Sequence, residues 1–298
     1  MRKHPILFGL LILLVLGIFS YLYFYKLGLS SGKSRSFSFK NKVGVVTIEG
    51  VVSDSMETVD QINEFGEDDS IVAVVLRIDS PGGGVAASQE IYEAVKELRK
   101  KKKVVTSMGS IAASGGLLIA CAADKIVANP GTITGSISAI MHFANLEDLL
   151  KKIGIKASVI KSGEYKDIGS PLREMTDQEK MIIQDLVDDI YNQFVDVIVK
   201  DRNLPREKVL EIADGRVFSG RKAKELGLVD DVGDMSFAVK TALKLAGREG
   251  KYDLVYPRKK HPSFLDFFLQ SAADHISTAI QGEMKNINGL SYLYYPVK

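Results

Sequence analysis

Residues 108–116 read MGSIAASGG and set a lone serine, Ser114, between two alanines and two glycines, just after the strand-like run 104–107. A hydroxyl becomes a useful nucleophile when substrate can approach it, when backbone N–H groups can hold the developing oxyanion, and when a base takes its proton. The small neighbours meet the first need. The run LLIACAAD that follows reads as a helix begun at or just after Ser114, and a helix N-terminus favours negative charge there. Ser107 and Ser110 are rival hydroxyls. The plain alternative is that the small residues only let a helix pack closely on a sheet.

A second glycine-rich turn is DSPGGG, residues 79–84, between an apolar strand pattern and a helix pattern. Pro81 fixes a sharp turn, and the glycines let a ligand come close to backbone N–H groups. Such a turn could form half of an oxyanion hole or merely reverse the chain. A phosphate loop is disfavoured, because neither GxxxxGK followed by Ser or Thr nor GxGxxG occurs. The base has two candidates. Of the four histidines, His4 precedes a long apolar run and His261 and His275 fall in the C-terminal tail, which leaves His142, with Glu147 and Asp148 nearby. Lys166, in KSGEYKDIGSP, is the other: a lysine accepts a proton once burial disfavours its charged form.

These elements must be carried by a folded chain, and 298 residues with 46% hydrophobic and 26% charged content suit one large domain. A net charge of +2, with no basic stripe interleaved with aromatics, gives no reason to expect a nucleic-acid partner. Cys121 is the only cysteine, so an intramolecular disulfide and a cysteine zinc cluster are excluded. No metal or cofactor is expected.

Residues 6–25 carry no charge, follow Arg2 and Lys3, and close on aromatics. This predicts a retained transmembrane helix rather than a cleaved signal peptide. The preceding basic residues place a short N-terminus in the cytoplasm and the body outside it. The predicted organisation is a membrane anchor over 1–26, a Ser/Gly/Lys-rich linker over 27–41, a catalytic domain over 42–258 and a tail over 259–298. From residue 43 apolar β-branched runs alternate with helix patterns, which predicts parallel strands with crossover helices. Residues 124–130 and 156–163 are read as further strands, and helices are expected over 177–200, after Pro205, over 220–226 and over 235–246.

DSPGGG at 79, GSIAASGG at 109, ADKIVANPGTITGSIS at 123, SGEYKDIGSPLREMT at 162 and ADGRVFSGRKAKELGLVD at 213 together resemble the short form of signal peptide peptidase A, from about residue 42 to at least 233. The resemblance implies an α/β fold, a Clp protease/crotonase-like spiral of strand-turn-helix units preceded by one transmembrane helix. It implies Ser114 as nucleophile, Lys166 as general base, Ser136 as a hydroxyl that orients the lysine, and Gly83 and Gly115 as oxyanion donors, with Gly82 a close rival for Gly83. It further implies remnant signal peptides and other apolar peptides as substrates, a site at the outer face of the cytoplasmic membrane, and a homo-oligomeric ring whose neighbours complete the pockets. Three other readings stay open: a related stomatin-trimming membrane peptidase, a crotonase-like acyl-CoA enzyme, and a catalytically silent membrane scaffold. The tail is read as an amphipathic packing segment or, more sharply, as a segment that enters the protein's own substrate groove.

Overall fold

A computed structural model describes residues 14–20 and 41–257, and the backbone of 291–293. The chain divides into two compact units, Met1–Lys40 and Asn41–Lys298. In the first, residues 14–20 are helical; the rest of the expected span 6–25 lies outside the described residues. Among the described residues no helix is long and apolar enough to cross a membrane.

The second unit begins with β1 (Asn41–Glu49), α1 (Met56–Glu67), β2 (Ile71–Ser80), the short β3 (Gly82–Gly84), α2 (Val85–Lys101), β4 (Lys103–Ala113) and α3 (Gly115–Cys121). It continues through β5 (Lys125–Ala128), β6 (Ile133–Gly135), α4 (Glu147–Lys152), α5 (Asp177–Arg202) and α6 (Arg206–Leu210). Then come β7 (Val217–Ser219), α7 (Gly220–Glu225), β8 (Asp231–Val232), α8 (Met235–Leu245), β9 (Tyr252–Val255) and β10 (Ser291–Leu293).

The main sheet runs β7-β6-β4-β2-β1-β9, with β5 beside β4 and β8 beside β5. Its pairings are parallel except β6 with β7. Successive strand residues face opposite sides. Ala73, Val75, Val105 and Val127 therefore pack on Ala238, Val239 and Ala242 of α8, while Val74, Leu76, Ile78 and Val104 join the core of the other face with Ile62, Ile91, Leu117 and Phe194. Coverage on both faces explains the continuous apolar runs of β2 and β4, where a half-exposed strand would alternate. Each fully buried Val, Leu or Ile contributes about 1.5–3 kcal/mol over exposure, so this frame, not the loops, carries the stability.

Three expectations need correction. Residues 156–163 form no strand; they are exposed, Ile160 completely. Their β-branched composition suits a strand, but no neighbouring strand offers them a ladder. Residues 82–84 form a strand rather than only a turn, although three glycines carry no strand preference. β4 extends to Ala113, well past the strand-like run 104–107, because β6 pairs with its last three residues. Cys121 is buried, and burial pushes its thiol up to about 12, as suits a small packed residue.

Candidate active site

Ser114 stands where a forked strand ends. The first half of β4, residues 105–108, pairs with β5, whereas 111–113 pair with β6, so that Ala113 faces Gly135. The buried hydroxyls of Thr132 and Thr134 donate to the carbonyls of Gly109 (2.7 Å) and Ala112 (2.6 Å) and brace that second half. At Ser114 the backbone turns to φ 55°, ψ −120°. Its N–H donates to the Gly135 carbonyl at 2.8 Å, and its carbonyl accepts from Leu118 N–H at 3.0 Å to start α3. A non-glycine residue held at positive φ costs on the order of 1–3 kcal/mol and is kept only where its surroundings over-determine it. Ser114 is the N-cap of α3, yet its side chain makes no capping bond. The hydroxyl is thus kept out of the helix's own hydrogen bonding, at the positive end of the helix dipole.

The glycines of DSPGGG converge on the same point. Gly82 takes φ +96°, a left-handed turn open to glycine. Its N–H donates to Ser80 Oγ (3.1 Å), and its carbonyl accepts from Val52 N–H (2.9 Å). Gly84 N–H donates to the Val52 carbonyl at 2.8 Å. Backbone groups alternate sides along a strand, so Gly83 turns its N–H and C=O away from Val52. A Cβ built on Gly115 would lie 3.3 Å from Gly83 N, which places the two predicted oxyanion glycines side by side. Gly115 opens α3, and the first N–H groups of a helix have no partner within it. The rival, Gly82, has its N–H already engaged. Along the side of β3 away from Val52 runs β10, antiparallel, with Tyr292 opposite Gly83 and Leu293 opposite Gly82.

Ser136 follows Gly135, and since Gly135 faces Ala113 across the ladder, Ser136 and Ser114 are neighbours at its end. It too has positive φ, 53°, and its N–H donates to the Arg216 carbonyl at 2.8 Å. Lys166 sits elsewhere, exposed on a series of turns between α4 and α5. Within the single chain no hydrogen bond joins it to Ser114 or Ser136. The rival hydroxyl Ser107 accepts from Arg77 at 3.0 Å, Ser110 is exposed, and His142 is exposed in the segment between β6 and α4.

The turn bearing Lys166 is held by charge. Arg173 grips Asp167 through Nε and Nη2, both at 2.9 Å, and Glu179 through Nη1 (2.8 Å) and Nη2 (2.5 Å). Lys161 also reaches Asp167, at 2.5 Å. Glu179 closes a capping box with Thr176 at the start of α5. Arg173 first, then Thr176 N–H, bring the Glu179 carboxyl from the ordinary 4.5 down to about 2, and Arg173 and Lys161 hold Asp167 well below the carboxylate range. A carboxyl depressed on folding stabilises above its unfolded pKa and loses that contribution as pH falls through its folded value. Denaturant midpoints should therefore show an advantage of the natural chain over Glu179→Gln that holds above pH 4.5 and fades towards pH 2. A difference independent of pH would mean that the clamp does not act through the carboxylate charge.

Sequence reasoning missed Ser80, whose hydroxyl accepts Gly82 N–H and donates to the Gly50 carbonyl at 2.5 Å, fixing the turn. It missed Val52 and the clamp as well. All three join residues distant in the chain, and only Thr176-x-x-Glu179 leaves a local signal, the capping box.

A serine at a strained strand-to-helix turn, two converging glycine N–H groups and a doubly covered parallel sheet define a serine peptidase on a Clp protease-like α/β frame, and residues 34–134 match the Clp protease family. Residues 96–249 match Peptidase family S49, and the chain belongs to that family. It is 48% identical over 211 residues to a putative protease of Synechocystis, covering 70% of this chain and 76% of the relative. It is 41% identical to a putative protease of Methanocaldococcus jannaschii, covering 65% of this chain and 62% of that protein. A putative signal peptide peptidase SppA of Enterococcus faecium is 37% identical, with 64% of this chain and 60% of that protein covered.

Proposed function

We propose that the chain is a membrane-anchored serine endopeptidase that uses Ser114 and Lys166 to degrade remnant signal peptides and other apolar peptides at the outer face of the cytoplasmic membrane. The observation that carries this reading is the pairing of Ser291–Leu293 with Gly82–Gly84: an extended peptide segment already lies on the strand whose Gly83 N–H faces outward beside Ser114. Strand addition reads backbone, which suits an enzyme that takes unfolded segments of varied sequence. The tail is then the first occupant of the substrate groove.

Neutral Lys166 takes the Ser114 proton as Oγ attacks the peptide carbonyl, with Ser136 orienting the amine. Gly83 and Gly115 N–H hold the oxyanion; the amine leaves with the proton; water activated by the same lysine hydrolyses the acyl-enzyme. A neutral lysine needs a dry setting, and Lys166 is exposed in one subunit. A neighbouring subunit supplies that cover. In the same segment between β6 and α5 that carries Lys166, Phe143, Leu146, Leu149, Ile153 and Ile160 expose apolar side chains of a kind that marks contact with another protein. The uncharged run 6–25 is the anchor, which keeps the site near the bilayer and outside the cytoplasm.

A serine-directed phosphonate tests the reading. Mass spectrometry of the treated protein should find the adduct on Ser114. Failure to label, or an adduct on Ser107 or Ser110, would overturn the assignment.

A further inference from the structure

β4 carries a bulge just before the nucleophile. Against β2, Ile78 pairs with Met108 but Ser80 pairs with Ala112, so β4 holds two residues more than β2 across this step. A bulge unpairs backbone groups, re-aims the chain that follows, and recurs beside active sites. Here side chains take up the freed groups. The Met108 carbonyl accepts from Arg77 Nη1 (3.3 Å) and Asn129 Nδ2 (3.2 Å), and the Gly109 carbonyl accepts from Thr132. Ile111 N–H donates to Asp79 Oδ1 at 3.1 Å.

Asp79 differs from the others in what it joins. Asn129 and Thr132 reach the bulge from the connection between β5 and β6, whereas Asp79 reaches it from the strand that leads into the glycine turn. Ile111 precedes Ser114 by three positions, and Asp79 precedes Gly82 by three. One contact therefore ties together the two segments whose ends, Gly83 and Ser114, must meet over a substrate carbonyl. The fit is close. A Cβ on Gly109 would stand 2.7 Å from both Cγ and Oδ2 of Asp79, so the carboxylate lies directly against the bulge and a glycine makes room for it. Asp79 is itself anchored, because its own carbonyl accepts from Gly50 N–H at 3.0 Å. A strained turn such as that at Ser114 persists only while its surroundings over-determine it, and this bond belongs to those surroundings.

We propose that Asp79 is a positioning residue for Ser114: its carboxylate holds the bulged end of β4 against the glycine turn and so sets where the Ser114 hydroxyl stands relative to Gly83 N–H. This rests on the serine peptidase reading above. Asp79 acts through the backbone of β4, as an acceptor at fixed reach rather than as a charge. Misplacing a reacting group by about 1 Å can cost about 100-fold in rate, whereas an extended peptide binds along β3 through other groups. The loss therefore belongs in kcat and not in KM.

The test uses the full chain and one apolar fluorogenic peptide. Asp79→Ala should lower kcat about 100-fold, leave KM unchanged, and expose the Ile111 amide to hydrogen exchange. Asp79→Asn keeps an oxygen at the same reach and should recover most of that loss. Circular dichroism gives the folded fraction, so that rates are compared per folded molecule. A natural kcat in Asp79→Ala, a loss confined to KM, or an Asp79→Asn as slow as Asp79→Ala would each overturn the proposal. Should Asp79→Ala not fold, Gly109→Ala reads the same contact from the opposite strand: its methyl drives the carboxylate off Ile111 and should bring the same fall in kcat, and a natural kcat there would overturn the proposal. Ser114→Ala run alongside separates the two readings. If it is inactive while Asp79→Ala is normal, only the positioning role is wrong; if it retains full activity, the nucleophile assignment falls.

Discussion

Replacing Ser114 by alanine is expected to lower peptide turnover by at least about 10,000-fold while leaving the fold intact. The side chain makes no capping bond to α3, and the turn is fixed by backbone bonds to Gly135 and Leu118, so its loss removes chemistry and little structure. Lys166→Ala should fall by on the order of 1,000-fold or more, since a general base in its proposed role assists both acylation and deacylation. The double variant should be hardly worse than Ser114→Ala alone, because residues acting as one unit are not additive. Single-turnover kinetics with circular dichroism measure both aspects. Activity within tenfold of the natural chain in Ser114→Ala would remove the nucleophile assignment, and the same in Lys166→Ala would return the search for the base to His142.

The second large effect belongs to Gly83. A Cβ there would meet the Val52 carbonyl oxygen at 2.1 Å and its nitrogen at 2.7 Å, both backbone atoms that cannot swing aside. Gly83→Ala must therefore push β3 away from Val52, and the N–H proposed as an oxyanion donor moves with it. Removing one such donor costs about 100- to 1,000-fold in kcat, and overpacking of this kind costs about 1–3 kcal/mol of stability. Gly131→Ala is the control, since nothing lies within 4 Å of its added methyl. Normal kcat and thermal midpoint in Gly83→Ala would mean that β3 does not hold the oxyanion.

Local pattern was enough for the frame. The apolar run of β2, the periodicity of α5, and the helix begun just after Ser114 depend on near neighbours and formed where their residues predict, whereas β4 runs on to Ala113 because β6 pairs with its end. What pattern could not convey is pairing between distant segments. Gly82–Gly84 becomes a strand only because Val52 and β10 flank it, and Ser136 meets Ser114 only because β6 joins the upper half of β4. The converse holds at 156–163, where strand-forming residues find no ladder and stay exposed. Glycine spacing alone left Gly82 and Gly83 equivalent; the structure separates them by direction, with Gly82 N–H tied back to the Ser80 hydroxyl and Gly83 on the side where β10 lies. Nor could sequence show that the turn bearing Lys166 is gripped by Arg173 between two carboxylates.

The strand formed by Ser291–Leu293 has a kinetic meaning beyond its geometry. An occupant carried on the same chain meets the groove at a local concentration fixed by its tether rather than by the amount of protein, and dilution does not lower it. If β3 lines the substrate groove as proposed, incoming peptides must displace this segment, and removing it should lower the apparent KM while leaving kcat unchanged. Long apolar substrates that pair along all of β3 compete well, and short ones compete poorly. On that reading such a tail would act as a length filter, sparing brief extended stretches and admitting long unfolded segments.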